Sequence, residues 1–190
     1  MKFLKRIEHY NRIIAYKILK IILNTPQIEI PIRNTNINNI LILRYDAIGD
    51  MIVTIPMIRL IKTNFPNAKI DIIASKKNYD IAKSEPSINN CYIYDSSLKS
   101  FLKLRKLKKN KYDTIISTVF NKKTKAGIIA KNITNKNTLI FAELEEHRKN
   151  LYSAFFNAQV NITKERYKKN MLEILCIMAS RIFGFNFDEN

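Results

Sequence analysis

The chain of 190 residues has no tryptophan, and only three glycines, two cysteines and two histidines. Each shortage removes a class of explanation. Neither GxGxxG nor GxxxxGK[ST] occurs, so neither glycine-rich phosphate cradle is available. Cys91 and Cys176 stand far apart in apolar settings without CxxC spacing, which reads as a reduced protein with two buried thiols. With His9 at the basic N-terminus and His147 in mid-chain, a His/Cys metal site has no ligand set to draw on. Acidic residues are also outnumbered: 16 Asp and Glu face 33 Lys and Arg, a formal charge of +17. Such a balance attracts polyanions, whether nucleic acid, an anionic membrane face or phosphorylated glycans and lipids. Charge alone does not choose among them.

What is present suits one α/β domain with a sizeable core, since 46% of residues are hydrophobic. Residues 1–23 place Phe3, Leu4, Ile7, Ile14, Ile18, Ile21 and Ile22 at mostly three- and four-residue steps, interrupted by Lys2, Lys5, Arg6, Arg12, Lys17 and Lys20. This predicts a basic amphipathic helix, too charged for a membrane span and without a signal peptide's apolar core. It suits either an anionic membrane surface or packing on the domain. Pro26, Pro31 and several asparagines mark residues 24–38 as a linker, so residues 1–38 form an appendage to a domain over 39–190.

Within that domain apolar runs and amphipathic segments alternate. Strands are expected at 39–44, 69–74, 91–94, 113–119 and 138–141. Helices are expected at 51–64, 78–84, 98–109, 126–131 and 164–183, the last stopped by Gly184. Residues between 141 and 164, with His147, Tyr152, Phe155 and Phe156, read as irregular. Pro56 is awkward inside the 51–64 helix unless Thr54 caps its regular part. The rhythm is that of a Rossmann-like parallel sheet flanked by helices.

The loop at 45–50 is the best candidate for chemistry, because open α/β sheets bind ligands at the carboxyl ends of their strands. Asp50 falls where this loop meets a helix, so its charged form is favoured there. It is either a general base for a substrate hydroxyl or simply an N-cap. Gly49 permits a positive φ or close approach of backbone to ligand. Lys122 and Lys123 follow a strand end and so face the same cleft, as does Lys125. The run Lys99, Lys103, Arg105, Lys106, Lys108, Lys109 and Lys111 reads as a solvated helix face or a phosphate-binding patch.

Residues 40–59, ILILRYDAIGDMIVTIPMIR, resemble the amino-terminal motif of the family 9 glycosyltransferases, the lipopolysaccharide heptosyltransferases. That motif is an apolar strand, Lys or Arg, a short polar stretch, a hydrophobic residue, Gly-Asp, then an apolar segment with Thr-x-Pro. Residues 65–71 are similar to the family's second-strand entry, 112–116 to a later strand, and 182–184 to the end of its closing helix. The resemblance implies the amino-terminal half of a GT-B enzyme, in which two Rossmann-like domains face each other. The first holds an acceptor glycolipid and the second a sugar nucleotide, usually ADP-heptose, for an inverting transfer without metal. On this motif Asp50 falls on the catalytic base, Gly49 on the glycine that admits the substrate, and Arg44 on the basic residue ending the strand. Asp46 departs from it, standing where the family often has a small hydroxyl residue.

The resemblance therefore leads to the expectation of an acceptor-side half, with the donor-binding domain absent from residues 1–190, no cofactor of its own, and little turnover alone. The implied partners are an acceptor glycolipid or glycan, an anionic inner-membrane surface and a separate donor-binding domain. The implied location is cytoplasmic, peripheral on the inner face of the cytoplasmic membrane. The alternative is a non-catalytic basic module that binds membrane or glycolipid. Specific nucleic-acid binding rests on charge alone, without a recognition helix, RNA-binding strand pattern or zinc module.

Overall fold

The computed structural model describes residues 14, 17–32 and 36–187. The expected helix over 1–23 is therefore seen only at 14 and as α1, residues 17–23; Phe3, Leu4, Ile7, His9 and Arg12 lie outside the described residues. Six strands follow: β1 (Asn39–Arg44), β2 (Lys69–Ala74), β3 (Asn90–Ile93), β4 (Thr114–Ser117), β5 (Leu139–Glu143) and β6 (Ala158–Val160). They form one parallel sheet in the order β3-β2-β1-β4-β5-β6. The central registers are carried by largely apolar runs, as when Ile40, Leu41, Ile42 and Leu43 of β1 lie beside Ile70, Asp71, Ile72 and Ile73 of β2. A strand buried on both faces needs such a run, because no side of it meets water.

Helices cover both faces. On one side Ile40, Ile42, Ile70 and Ile72 pack against α3 (Ile55–Asn64) and α8 (Met171–Phe183). On the other, Leu41, Leu43, Ile115 and Ile140 pack under α5 (Leu98–Leu104), α6 (Lys123–Ile133) and α7 (Lys149–Tyr152). The remaining helices are α2 (Ile48–Ile52) and α4 (Tyr79–Ser84). Gly127 lets the Phe155 ring approach α6: a Cβ added there would lie 2.6 Å from Phe155 Cβ. Residues 24–32 are laced onto the domain. Ile28 N–H donates to Asn157 O at 2.9 Å and Ile32 N–H to Ile182 O at 2.8 Å. Asn157 Nδ2 donates to Pro26 O at 2.8 Å.

Several boundaries differ from expectation. The single helix over 51–64 is two, with Val53 and Thr54 between them. Pro56 explains the break, since it lacks the N–H for a bond to Ile52 and is tolerated only in the first turn of α3. Helix α2 starts at Ile48, so Gly49 and Asp50 belong to it and the loop shortens to 45–47. The helix over 98–109 tightens into a 3₁₀ turn at Arg105–Asn110, where like charges crowd successive turns. Helix α6 begins earlier, at Lys123, than the 126–131 span. The closing helix begins at Met171 rather than 164, because Asn170 and Glu173 form a reciprocal cap. Strand β6 was hidden in the stretch read as irregular; its three residues are too few to show a period.

Candidate functional site

The strand order reverses between β1 and β4, and the carboxyl ends of the strands at such a switch point are where open α/β sheets bind ligands. Arg44 ends β1, and Phe120 follows β4. The Arg44 side chain is fully buried. Its Nε donates to Thr54 Oγ1 at 2.7 Å and its Nη1 to Asp46 Oδ2 at 2.9 Å. Its guanidinium lies 5.8 Å from the centre of the Phe120 ring. Burial pulls the Arg44 pKa down, while the charges of Asp46 and then Asp50 oppose that shift. Thr54 Oγ1 passes the contact on, donating to Asp50 O at 2.6 Å. A buried cation thus braces the turn that carries Asp50.

Asp50 is the third residue of α2 rather than its N-cap, which is Ala47. Its Oδ2 accepts from the Ala47 N–H at 3.4 Å, a long contact that leaves the half-buried carboxylate largely uncommitted. Gly49 does not use a positive φ, and a Cβ there would meet nothing within 4 Å. Of the two freedoms offered by glycine, only open space beside the backbone is present. Asp46 is shifted upward by burial, against the pull of Arg44 and with a further push from Asp50. Arg44 Nη2 and Asp46 Oδ1 are buried without a hydrogen-bond partner. The loop therefore holds a donor and an acceptor that no protein group takes up.

Asn78 organises this loop and was not singled out from sequence. It is fully buried, and its Nδ2 donates to Arg44 O at 3.0 Å and Ala47 O at 3.3 Å. Its Oδ1 accepts from Ser75 N–H at 2.8 Å. Asn78 thereby clamps the end of β1 to the end of β2. Its only local signal is its place just before α4, which suggests a cap rather than a cross-loop clamp.

The two lysines expected to face the cleft part company. Lys122 is exposed, at a left-handed φ of 60° at the start of α6. Lys123 is only 2% exposed, with its Nζ 2.8 Å from Glu143 Oε2 and 3.5 Å from Glu145 Oε2. Arg166 Nε lies 2.9 Å from the other oxygen, Glu143 Oε1, and its guanidinium sits 4.8 Å from the Phe120 ring. Phe120 therefore has Arg44 and Arg166 both near its ring, which links the β1 loop to the end of β5. Glu143 and Arg166 escaped sequence reading because their partners lie about 20 residues away. Beside them a cavity of about 680 Å³ is lined by Glu145, His147, Arg166 and Tyr167. His147 itself is exposed on a 3₁₀ turn. The lysine run from 99 to 111 lies on the outer side of α5 and its 3₁₀ continuation, exposed throughout.

Comparison with known proteins agrees with this architecture. Lipopolysaccharide heptosyltransferase 3 of Escherichia coli is 35% identical over 77 residues, covering 36% of this chain and 23% of that protein. The structure of E. coli heptosyltransferase WaaC with ADP matches with a TM-score of 0.64 at 14% identity, over 80% of this chain and 49% of that one. The glycosyl transferase family 9 structure from Veillonella parvula DSM 2008 gives 0.62 at 16% identity, over 74% of this chain and 40% of that one. No protein-family model matches the sequence. The chain is thus similar, in part, to the family 9 lipopolysaccharide heptosyltransferases and has the fold of half of the GT-B structure of WaaC. It spans about half or less of those structures and under a quarter of the curated relative. No helix among the described residues is long and apolar enough to cross a membrane.

Proposed function

We propose that residues 39–190 form the acceptor-side half of a heptosyltransferase-like transfer site, with Asp50 as the general base. A carboxylate in this role takes the proton of an acceptor hydroxyl as that oxygen attacks the anomeric carbon of an activated sugar. The observation that carries the reading is the half-exposed, weakly committed Asp50 carboxylate. It sits on a turn braced by Arg44 and Thr54, at the carboxyl end of β1 beside the β1–β4 switch point. A base must be both available and held in place, and this arrangement supplies the two together. The uncommitted polar atoms of Arg44 and Asp46 support the same switch point as the place where a hydroxyl-rich glycan is held. Lys122, exposed at the same edge, supplies charge for phosphates or carboxylates on an acceptor. Lys123 is bound to Glu143, so its part is to hold α6 and β5 in register.

In this reading the donor side of the site, with its sugar nucleotide such as ADP-heptose, comes from chain outside residues 1–190, in the same polypeptide or another. The acceptor is a lipopolysaccharide core or related glycan. The test pairs the chain with a family 9 donor-binding domain and follows sugar transfer to a lipid A–Kdo type acceptor, alongside direct titration of that acceptor. Asp50→Ala lowers kcat by about 10²–10⁴-fold, the usual contribution of a general base. Acceptor affinity stays close to that of the parent. Near-normal turnover of Asp50→Ala rejects Asp50 as the base, and failure of the parent chain to bind acceptor rejects the reading as a whole.

A further inference from the structure

Two guanidinium groups lie over the Phe120 ring, that of Arg44 at 5.8 Å and that of Arg166 at 4.8 Å from its centre. Like charges that share one ring repel unless each is neutralised where it stands. Here each has a carboxylate of its own: Arg44 Nη1 lies 2.9 Å from Asp46 Oδ2, and Arg166 Nε lies 2.9 Å from Glu143 Oε1. The electron-rich face of the ring therefore keeps its attraction for both cations. Exposure rises outward along the set, from fully buried Arg44 through half-buried Phe120 to Arg166, whose side chain is 40% exposed. Phe120 is the cover over a buried cation, and Arg166 is the outer member that holds the cover.

The outer member is itself firmly placed. It belongs to the 3₁₀ turn Glu165–Tyr167, where Glu165 Oε1 lies 2.6 Å from Arg181 Nη2 of α8. The Arg166 N–H donates to Ile162 O at 3.1 Å. The Glu143 carboxylate that it meets is buried and is gripped from α6 as well, with Lys123 Nζ at 2.8 Å. Inward from the ring, Arg44 Nε donates to Thr54 Oγ1 at 2.7 Å, and Thr54 Oγ1 donates to Asp50 O at 2.6 Å.

We propose that Arg166 is a positioning residue for Asp50: by holding Phe120 over Arg44 it keeps water from the buried guanidinium and fixes the turn that presents the carboxylate. This deepens, and rests on, the reading of Asp50 as the base. A half-exposed ion pair acting alone contributes little and would leave the Asp50 turn unaffected. The contact with Phe120 is what carries the influence of Arg166 from the end of β5 to the end of β1.

The test uses the full chain, without sugar or donor, and follows hydrogen exchange at Arg44 Nε–H by heteronuclear NMR. That proton lies in the bond to Thr54, so it exchanges when the brace opens. The amide of buried Ile42, in the same central strand, reports global opening. Arg166→Gln removes the cation but leaves a hydrogen-bond donor for Glu143. It speeds exchange at Arg44 Nε by about tenfold. The Ile42 amide stays within about twofold of the parent. Arg166→Lys keeps a charge opposite Glu143 without the flat stacking group, so exchange remains about threefold or more above the parent. In Phe120→Leu exchange is already fast, and adding Arg166→Gln changes it no further. In the chain paired with a donor-binding domain, Arg166→Gln lowers kcat by about tenfold at an unchanged KM for acceptor. Equal acceleration at Arg44 and Ile42 makes Arg166 an ordinary stabilising residue and overturns the proposal. So does full recovery of slow exchange in Arg166→Lys, or effects that multiply in the double variant. An unchanged kcat for Arg166→Gln where Asp50→Ala is inactive overturns it as well. Near-normal turnover of Asp50→Ala rejects the base itself, while the exchange pattern still decides whether Arg166 holds the turn, so the two failures are told apart.

Discussion

Arg44→Met tests whether the buried guanidinium is what braces the candidate site. Methionine fills much of the arginine stem but removes the charge and both side-chain hydrogen bonds. The bond from Nε to Thr54 joins two fully buried residues, and its loss costs about 1 kcal/mol. The Asp46 pair is unequal, with its arginine end 1% exposed and its carboxylate end 29% exposed. Breaking a wholly buried pair costs about 3–5 kcal/mol, and access of Asp46 to water reduces this to about 2–3 kcal/mol. Burying an apolar stem in place of a desolvated cation returns about 1 kcal/mol. The net loss is about 2–3 kcal/mol, or a Tm lower by roughly 4–12 °C for a chain of this size.

The same substitution carries a pH signature. Burial raises the Asp46 pKa, so the folded chain holds that proton more tightly than the unfolded one. Asp46 thus favours folding at low pH, and its contribution is lost as pH rises through the raised pKa. Without Arg44 the pKa rises further, so the penalty of Arg44→Met grows from about pH 4 to about pH 7. Guanidinium unfolding followed by far-ultraviolet circular dichroism at both pH values measures it. A loss under about 1 kcal/mol at neutral pH refutes the bracing role, and so does a penalty equal at the two pH values.

Two further substitutions probe the scaffold of the site. Asn78→Ala removes four side-chain hydrogen bonds at once, three with loop backbone and one from the Ser75 hydroxyl, and lowers stability by about 2–4 kcal/mol, read as a lower denaturant midpoint at unchanged slope. In the paired enzyme it also lowers kcat, because the turn bearing Asp50 loses its clamp. Gly127→Ala sets the gain in helix propensity, about 1 kcal/mol, against a Cβ 2.6 Å from Phe155, whose overpacking costs about 1–3 kcal/mol. Thermal denaturation should show a net loss, and a stabilised Gly127→Ala would mean that Phe155 can move aside.

The alternation of apolar runs with amphipathic segments already determined the class of fold, because strands buried on both faces and helices buried on one leave different periods in the chain. It also placed Arg44, Gly49 and Asp50 together, since they are neighbours in sequence. Local chemistry was readable where it acted locally: Pro56 broke the helix it sits in, and Gly184 ended α8 at φ 78°. What only the tertiary structure decided involves residues brought together by crossovers. Asn78 reaches back 34 residues to Arg44, and Arg166 reaches Glu143 from beyond β6. Lys123 looked like a cleft lysine because it follows a strand end, yet a carboxylate on the neighbouring strand takes it into the interior. The aspartate of the candidate site and the arginine beside it were visible from the first, but the bracing bond from that arginine and the asparagine that clamps the turn became visible only once the sheet had folded. A motif records what lies along the chain, whereas a brace depends on what lies across it.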